Sequence, residues 1–489
     1  MKNQIILFLV YFSLHFYNVL AQDISTRQFV NNYYKENLIQ QKSDIPKVEK
    51  ATSKIQLNKV VFGYLPDWEY YDGTQKNIRY DLISHLAVFP FIADSSGNLT
   101  DPYNWPWNDV ISSCASAKVK LIASIGCFDG NTVHTLLTNQ TKRENLFANI
   151  KNIMLKWGFV GVNIDFEELF NSDKPSAMGN FIKLLNQYIK AVNQSYEIST
   201  AIYPVNFDNW GYDTIAEYSD LLFVMCYNYY GSWSLTSGPS SPFEGTYYSI
   251  SKSFANDLAA IVAKYPQRIL YGVAYVGNHW KTKTSEAYSL VDTTKANKGF
   301  VKTLKYKEII PTYEPKEIKW DALSKTPWLR WNDGGWNQIW YDDAASLTIK
   351  YDYTIRNGFG GIGIWALGYD DGRTELWKVI EDKFAQPVSI EEQEEIPTQV
   401  KLYQNYPNPF NPETVIRYKI QAASQVSLKI YDVLGREAAT LVDEYKQPGN
   451  YKVNFNVKTR HGASLQSGVF FYTFKANGFT QTKKMLLVK

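Results

Sequence analysis

Short apolar runs recur through the middle of the chain and are separated by segments with helical periodicity. Residues 142–156, for example, place apolar side chains three and four positions apart, which is typical of an amphipathic helix. The apolar runs predict eight strands, at residues 59–64, 85–91, 119–126, 160–167, 197–203, 221–227, 269–275 and 360–365. Because strand and helix alternate, the pattern predicts a parallel (β/α)8 TIM barrel over residues 57–385.

Two further regions depart from this alternation. Residues 278–357 separate the last two predicted strands, and an inserted subdomain explains this surplus better than one long loop. Residues 401–489 contain short alternating strands punctuated by Gly, Pro and Asn, which predicts a small all-β sandwich. The acidic segment 386–400 contains Pro residues and is predicted to link the barrel to the sandwich.

The fourth predicted strand carries polar residues where a buried strand is normally apolar. Its sequence, GVNIDFEE over residues 161–168, puts Val, Ile and Phe on one face and Asn163, Asp165 and Glu167 on the other. In a barrel the apolar face packs against the outer helices, so the polar column points inward and rises to the C-terminal mouth, where active sites form. A solvated edge strand would show the same alternation.

The N-terminus has the pattern of an export signal. Lys2 is followed by a short apolar run, and the segment closes at Ala21, which predicts a signal peptide over residues 1–21. Polar residues 22–56 are predicted to form a linker. Later segments are too short or too polar to span a membrane, so we expect a secreted, monomeric protein.

Composition excludes some partners and leaves others open. The 51 Lys+Arg against 48 Asp+Glu, without a basic run, argue against nucleic acid as a partner. Three Cys and five scattered His give no disulfide framework and no metal-ligand spacing, so no cofactor or metal is expected. The aromatic content of 16% fits either a strand-rich fold or a ligand such as a sugar, which presents apolar faces to aromatic rings.

Four motifs on four predicted strands, in the right order, resemble glycoside hydrolase family 18, the chitinase family. The resemblance covers most of residues 58–382. The family patterns DGxDxDxE, SxGG and MxYD correspond here to VGVNIDFE (160–167), SIGC (124–127) and MCYN (225–228). The last strand, GGIGIWALGYD (360–370), is similar to the family strand whose Trp forms the floor of the sugar site.

The resemblance implies a reaction in which the N-acetyl group of the substrate attacks the anomeric carbon, with retention of configuration. It implies that Glu167 is the general acid and then the base, that Asp165 orients the acetamido N–H, and that Tyr227 donates a hydrogen bond to the acetamido oxygen. Trp365 would form the floor beneath the sugar, although core filling would also suit a Trp at this place.

Further substrate-binding residues are expected near these groups. Tyr64 and Phe91, at the ends of the first two strands, are predicted walls of the pocket, and Met225 should face it. Asn163 and Asn228 stand where the family has Asp, while Val160 and Cys127 are further departures. Because Asn163 carries no charge, we expect Asp165 to be more firmly ionised than in relatives and the acid limb of the pH profile to be altered.

The C-terminal region carries a second resemblance. The segments YQNYPNPFNP (403–412), IYDVLGR (430–436), SGVFFY (467–472) and KKMLLVK (483–489) are similar to the sorting domain of the type IX secretion pathway. This implies that the secretion machinery is a partner. A carbohydrate-binding sandwich is the alternative, but the region contains no Trp.

The sequence therefore predicts a secreted chitinase that cleaves β-1,4-linked N-acetylglucosamine, with chitin or a related glycan as its partner. One alternative keeps the mechanism but acts on N-glycans or peptidoglycan as an endo-β-N-acetylglucosaminidase. Another is a chitin-binding lectin on an inactive barrel. The presence of Glu167 argues against the lectin, because hydrolysis needs a positioned acid.

Overall fold

The computed structural model describes residues 55–206, 209–245, 248–293, 299–313, 317–385, 399–457 and 466–488. The chain divides into two compact units, Met1–Pro387 and Val388–Lys489. The predicted signal peptide (1–21), nearly all of the predicted linker 22–56 and most of the predicted linker 386–400 lie outside the described residues. No helix of the described ranges is long and apolar enough to cross a membrane.

Eight parallel strands form a closed barrel, as the alternation predicted. They are β1 Val60–Pro66, β2 His85–Ala93, β3 Lys120–Cys127, β4 Gly161–Phe166, β5 Glu197–Ile202, β6 Leu221–Met225, β7 Ile269–Ala274 and β8 Gly361–Trp365. Each strand pairs with its neighbours in chain order, and β1 pairs with both β2 and β8 to close the ring. A short strand, Leu99–Thr100, adds an antiparallel pairing to the end of β2.

Helices connect the strands and cover the outside of the barrel. The α-helices are Asp67–Tyr71, Asn108–Ser116, Gly130–Thr138, Gln140–Trp157, Ser176–Val192, Tyr212–Tyr218, Ile250–Lys252, Ala259–Lys264, Ala344–Arg356 and Thr374–Phe384. Short 3-10 turns lie at Thr74–Asn77, Tyr80–Leu82, Asn171–Asp173 and Pro266–Arg268, and one π-turn lies at Ser253–Asp257. Helix Ser176–Val192 shows the expected pattern, because its buried face packs Phe181 against Phe166 of β4, with ring centroids 5.3 Å apart.

Aromatic rings fill the lower part of the barrel interior. Phe62 stacks on His85 at 5.8 Å, and Phe223 lies between Phe62 and Tyr64, at 6.1 and 4.8 Å. The Phe223 ring needs glycine on the facing strand, since a Cβ at Gly363 would lie 2.0 Å from it. This packed layer closes the barrel from below, so the inward-pointing polar groups above it are reached from the C-terminal mouth.

A small charged cluster lies at the opposite, N-terminal end of the barrel. The Glu197 carboxylate accepts a hydrogen bond from His85 Nε2 at 2.9 Å and pairs with Lys120. Burial alone would raise the pKa of Glu197, but its hydrogen bonds to His85 and Lys120 outweigh burial and lower the pKa to about 2. The cluster therefore stabilises the folded state only while Glu197 is ionised.

An inserted five-stranded antiparallel sheet follows β7. Its strand order is Phe300–Lys305, Val276–Thr282, Trp336–Tyr341, Thr326–Asn332 and Glu317–Asp321, with helix Tyr306–Tyr313 after the first strand of that order. The insertion was predicted to reach residue 357, but the sheet ends at Tyr341. Helix Ala344–Arg356 belongs to the barrel wall, where Tyr351 packs on Phe384 at 5.2 Å. Periodicity alone could not separate an inserted helix from a barrel helix.

A buried ion cluster ties the insertion to the first barrel loop. The fully buried Glu69 carboxylate accepts hydrogen bonds from Lys305 at 2.6 Å, Lys307 at 3.0 Å and Thr74 at 2.8 Å. Burial alone would raise the pKa of Glu69, but the positive charges of the two lysines outweigh it and hold the pKa below its usual value. Removal of this carboxylate would take from both lysines the partner that they share, and Lys305 would keep a longer contact of 3.7 Å with Asp72.

The second unit is a β-sandwich. One sheet contains Lys401–Leu402, Glu413–Ile420 and Gly449–Asn456, and the other contains Glu437–Lys446, Ser424–Tyr431, Gly468–Ala476 and Phe479–Leu487. The two sheets share a core in which Tyr418 and Phe474 approach to 4.7 Å. The predicted all-β architecture is confirmed.

Candidate active site

The polar column of β4 points into the barrel, as its alternation predicted. Asp165 is almost fully buried, and Glu167, the first residue after the strand, is half-buried at the C-terminal mouth. The main-chain N–H of Glu167 donates to the carbonyl of Cys127 on β3 at 3.3 Å. The backbone of β3 thus holds the column as far as its uppermost carboxyl group.

Asn163 forms the base of the column and is fully buried. Its amide oxygen accepts hydrogen bonds from the hydroxyl groups of Tyr64 at 3.0 Å and Ser124 at 3.1 Å, and its amide nitrogen donates to Ser199 at 3.1 Å. These bonds join β1, β3, β4 and β5 at one level. We predicted a substrate-binding role for Asn163, but its burial places it below the surface that a substrate can reach.

The buried Asp165 differs from our expectation of a firmly ionised group. Its Oδ1 atom accepts no hydrogen bond from any residue that the structure describes. Burial and then the negative charge of Glu167 raise the pKa of Asp165 well above its usual value. Asn163 places no negative charge below Asp165, but the Glu167 carboxylate above it does. Asp165 and Glu167 together therefore tend to retain one proton.

Tyr227 lies beside these carboxyl groups, two residues beyond the end of β6. Burial, followed by the proximity of Tyr64, Asp165 and Glu167, raises the pKa of its hydroxyl group well above the usual value. The hydroxyl therefore stays protonated and can act only as a neutral donor or acceptor. Met225 is half-buried at the end of β6. It lies two residues after Phe223, so both side chains are on the inward face of the strand.

Trp365, the last residue of β8, is half-buried at the centre of an aromatic cluster. Its ring contacts Phe89 at 4.9 Å, Tyr64 at 5.7 Å and Trp68 at 6.2 Å, each in an edge-to-face arrangement. Tyr64 packs against Trp365, but it is almost fully buried and its hydroxyl donates to Asn163, so a contact between Tyr64 and substrate stays a prediction. These edge-to-face contacts restrict the orientation of the Trp365 ring at the end of β8.

The prediction that Phe91 is a pocket wall is wrong. Phe91 is fully buried against Trp105 and Phe159, each at 5.6 Å, on the other side of β2. The register of β2 against β3 shifts between Val88 and Phe91, where one extra residue enters the strand. Such a bulge reverses the alternation of the side chains, so Phe89 takes the inward place.

Asn228 lies at the mouth of the barrel and is exposed. Its backbone is left-handed, with φ of 62°, and Ser240 both accepts a hydrogen bond from its main-chain N–H at 3.1 Å and donates one to its side chain at 3.2 Å. Asn tolerates this conformation better than most residues. A contact between Asn228 and substrate stays a prediction.

Several residues of the site were not in the predicted set. They are Ser124, Ser199, Phe89, Trp68 and Tyr203. The two serines stand directly opposite Asn163 in the register of β3 and β5, so strand pairing could have indicated them. Within the described ranges there is no group of three or more His, Cys, Asp or Glu residues arranged to hold a metal ion.

A closed (β/α)8 barrel with carboxyl groups and aromatic rings at its C-terminal mouth is an architecture that glycoside hydrolases use. Residues 60–370 match the family model of glycosyl hydrolases family 18, which is more than half of the chain, so the protein belongs to that family and is a chitinase-like hydrolase. Residues 404–489 match the secretion system C-terminal sorting domain, which indicates export by the type IX pathway to the cell surface or medium.

Relatives agree with this assignment at low identity. The chain is 22% identical to the Drosophila melanogaster protein named "Probable chitinase 2", over 64% of this chain and 72% of the relative. It is 21% identical to the cortical fragment-lytic enzyme of Bacillus anthracis, over 62% and 68%. Among solved structures, a Cycas revoluta GH18 chitinase in complex with (GlcNAc)3 has a TM-score of 0.60 at 17% identity, over 66% of this chain and 99% of that chain, which supports the fold.

Proposed function

We propose that this protein is a secreted chitinase that hydrolyses β-1,4-linked N-acetylglucosamine with retention, through attack by the substrate's own acetamido group. The observation that carries the proposal is the buried Oδ1 of Asp165, which accepts no hydrogen bond from the described residues and lies beside Glu167 and Tyr227. A buried acceptor of this kind needs a donor. The acetamido N–H of the substrate supplies one.

The first step forms a ring and breaks the glycosidic bond. The acetamido oxygen bonds to the anomeric carbon while the bond between that carbon and the leaving oxygen breaks. The leaving oxygen keeps the electron pair and takes the proton of Glu167. The product is a cyclic oxazolinium ion with a positive charge beside Asp165, whose negative charge stabilises it.

The second step restores the acetamido group. Water attacks the anomeric carbon from the side that the leaving group vacated and gives one proton to the Glu167 carboxylate. The bond from the anomeric carbon to the acetamido oxygen then breaks, and its electron pair returns to that oxygen. Two inversions at one carbon give net retention. Glu167 ends the cycle protonated, ready for another turn.

The neutral groups of the site position the substrate for this displacement. The Tyr227 hydroxyl donates to the acetamido oxygen and holds it against the anomeric carbon. Trp365 offers its ring face to the apolar face of the sugar. Asn163 acts indirectly, because its hydrogen bond holds Tyr64 under both Trp365 and the carboxyl groups.

Two variants of adjacent residues test the assignment of the acid. Glu167→Gln should abolish hydrolysis of chitin oligomers while binding of the oligomer persists, since the amide keeps the shape but cannot transfer the proton. Glu168→Gln is the matched control, because Glu168 is exposed and should be dispensable. Hydrolysis that survives in Glu167→Gln would refute the proposal, and joint loss of binding and hydrolysis would indicate misfolding.

Peptidoglycan is the second candidate substrate. One observation favours it: a matched relative is named for lysis of cortical fragments. Mass spectrometry of products from chitin oligomers, peptidoglycan and N-glycoprotein, digested in parallel, would distinguish the three. We expect oligomers of N-acetylglucosamine from chitin to be released fastest.

Export is proposed to use the predicted signal peptide 1–21 and the C-terminal domain in succession. In a host with a type IX pathway, the full chain should reach the cell surface or medium. A chain that lacks residues 404–489 should stay within the cell envelope. Equal appearance of both outside the cell would contradict this route.

A further inference from the structure

The backbone that carries Glu167 is held unequally by its two neighbouring strands. On the β3 side the pairing continues to Cys127 opposite Phe166, and the Glu167 N–H extends it by one more bond. On the β5 side the pairing stops at Ile164 opposite Thr200, three residues before Glu167. The acid therefore stands beyond the end of the ladder on that side.

The side chain of Tyr203 bridges this gap in the pairing. The hydroxyl group of Tyr203, the residue after β5, donates to the main-chain carbonyl of Glu167 at 3.2 Å. Because this bond ends on the backbone of the acid itself, it restricts the peptide from which the Glu167 side chain extends. Because Tyr203 is half-buried, water competes only partly with its hydroxyl group for that carbonyl.

Tyr203 is itself held in place from two directions. Its ring packs against Trp210 at 5.2 Å, and the Lys174 ammonium lies 4.0 Å above the Trp210 ring. The Tyr212 hydroxyl shares its one proton between the carbonyl of Tyr203 at 3.1 Å and that of Val205 at 3.2 Å. These contacts therefore fix the position of the Tyr203 hydroxyl group.

We propose that Tyr203 is a positioning residue for the proton transfer by Glu167. The inference rests on the proposed function, in which Glu167 protonates the leaving oxygen. A general acid must lie within hydrogen-bond reach of the atom that it protonates, and a displacement of about 1 Å can cost about a hundredfold in rate. Loss of one restraint at the backbone should cost less, on the order of tenfold.

The test removes only the hydroxyl and compares two leaving groups. Tyr203→Phe is assayed on chitotetraose, whose sugar leaving group needs protonation, and on 3,4-dinitrophenyl chitobioside, whose leaving group does not. We expect kcat/KM to fall about tenfold on the tetramer and less than about twofold on the dinitrophenyl substrate, with KM for the tetramer within about twofold. Tyr80→Phe, which removes a hydroxyl that donates to the Gln75 carbonyl at 3.3 Å, should change neither.

The ratio of the two kcat/KM values is the decisive quantity, because it does not depend on the fraction of enzyme that is folded. An unchanged ratio in Tyr203→Phe, whether both activities fall together or neither falls, would overturn the positioning role. A wild-type protein that hydrolyses neither substrate would instead refute the proposed function. The two failures are therefore distinguishable.

Discussion

The mutual effect of the two carboxyl groups at the mouth can be measured by removing one of them. In the native site, burial raises the pKa of Asp165 first, and the negative charge of Glu167 raises it further. Glu167→Gln removes the charge and keeps the burial. The pKa of Asp165 should therefore fall in this variant and still remain above the usual value of a carboxyl group.

The size of the change follows from the strand geometry. Residues two apart on one face of a strand are separated by roughly 6.6 Å, from a rise of about 3.3 Å per residue. At an effective dielectric constant of about 20, two unit charges at that distance repel by about 2.5 kcal/mol. Loss of this repulsion should therefore lower the pKa of Asp165 measurably, since one pH unit corresponds to about 1.4 kcal/mol.

Carbon-13 NMR of protein labelled at the Asp carboxyl carbons would follow this titration. The native pair should lose its protons in two separated steps. In Glu167→Gln a single Asp165 step should remain, clearly below the upper native step. Glu168→Gln should leave both native steps in place. An Asp165 step at or above the upper native one would refute the electrostatic argument and leave burial as the sole cause.

Three further predictions concern other buried charges. Asn163→Asp adds a carboxyl group directly below Asp165 and should move the acid limb of the kcat/KM profile to higher pH; an unchanged limb would contradict the repulsion argument. Glu69→Gln should lower the free energy of unfolding by about 3–5 kcal/mol at neutral pH in a urea titration, because Lys305 and Lys307 lose the carboxylate that they share, whereas a loss below about 1 kcal/mol would mean that water and Asp72, which lies 3.7 Å from Lys305, replace it. Glu197→Gln should cost about 3 kcal/mol at pH 7, since the native pKa is depressed to about 2, and the difference should vanish as the pH falls from about 4.5 to 2.

The barrel could be predicted from the sequence because its signals are local. Each strand is a short apolar run and each covering helix has its own periodicity, so neither needs knowledge of distant residues. The column of Asn163, Asp165 and Glu167 could also be predicted from a local signal, since alternation along one strand decides which side chains share a face. The identity of the neighbouring residues was harder to predict, because Ser124, Ser199 and Tyr203 reach the column only through strand register.

The ionisation of Asp165 shows where local reasoning fails. The sequence shows that position 163 carries no charge, and that fact alone favours an ionised Asp165. The structure adds two effects that depend on three dimensions: almost complete burial, and a second carboxyl group on the same face. Both favour retention of one proton by the Asp165–Glu167 pair, so their sum reverses the expectation. The proposed reaction uses the form in which Glu167 holds that proton and Asp165 is ionised. A pKa is thus a property of the assembled barrel rather than of a motif.

The exchange of Phe91 for Phe89 follows from a single extra residue. Counting alternate positions from the start of β2 puts both rings on the inward face, and Phe89 is indeed inward, 4.9 Å from Trp365. The bulge between Val88 and Phe91 then turns the rest of the strand over, and Phe91 packs outside with Trp105. Bulges are common next to active sites, where they redirect side chains. Inference from alternation is therefore least secure at the strand ends that build such sites, even where the strand itself is predicted correctly.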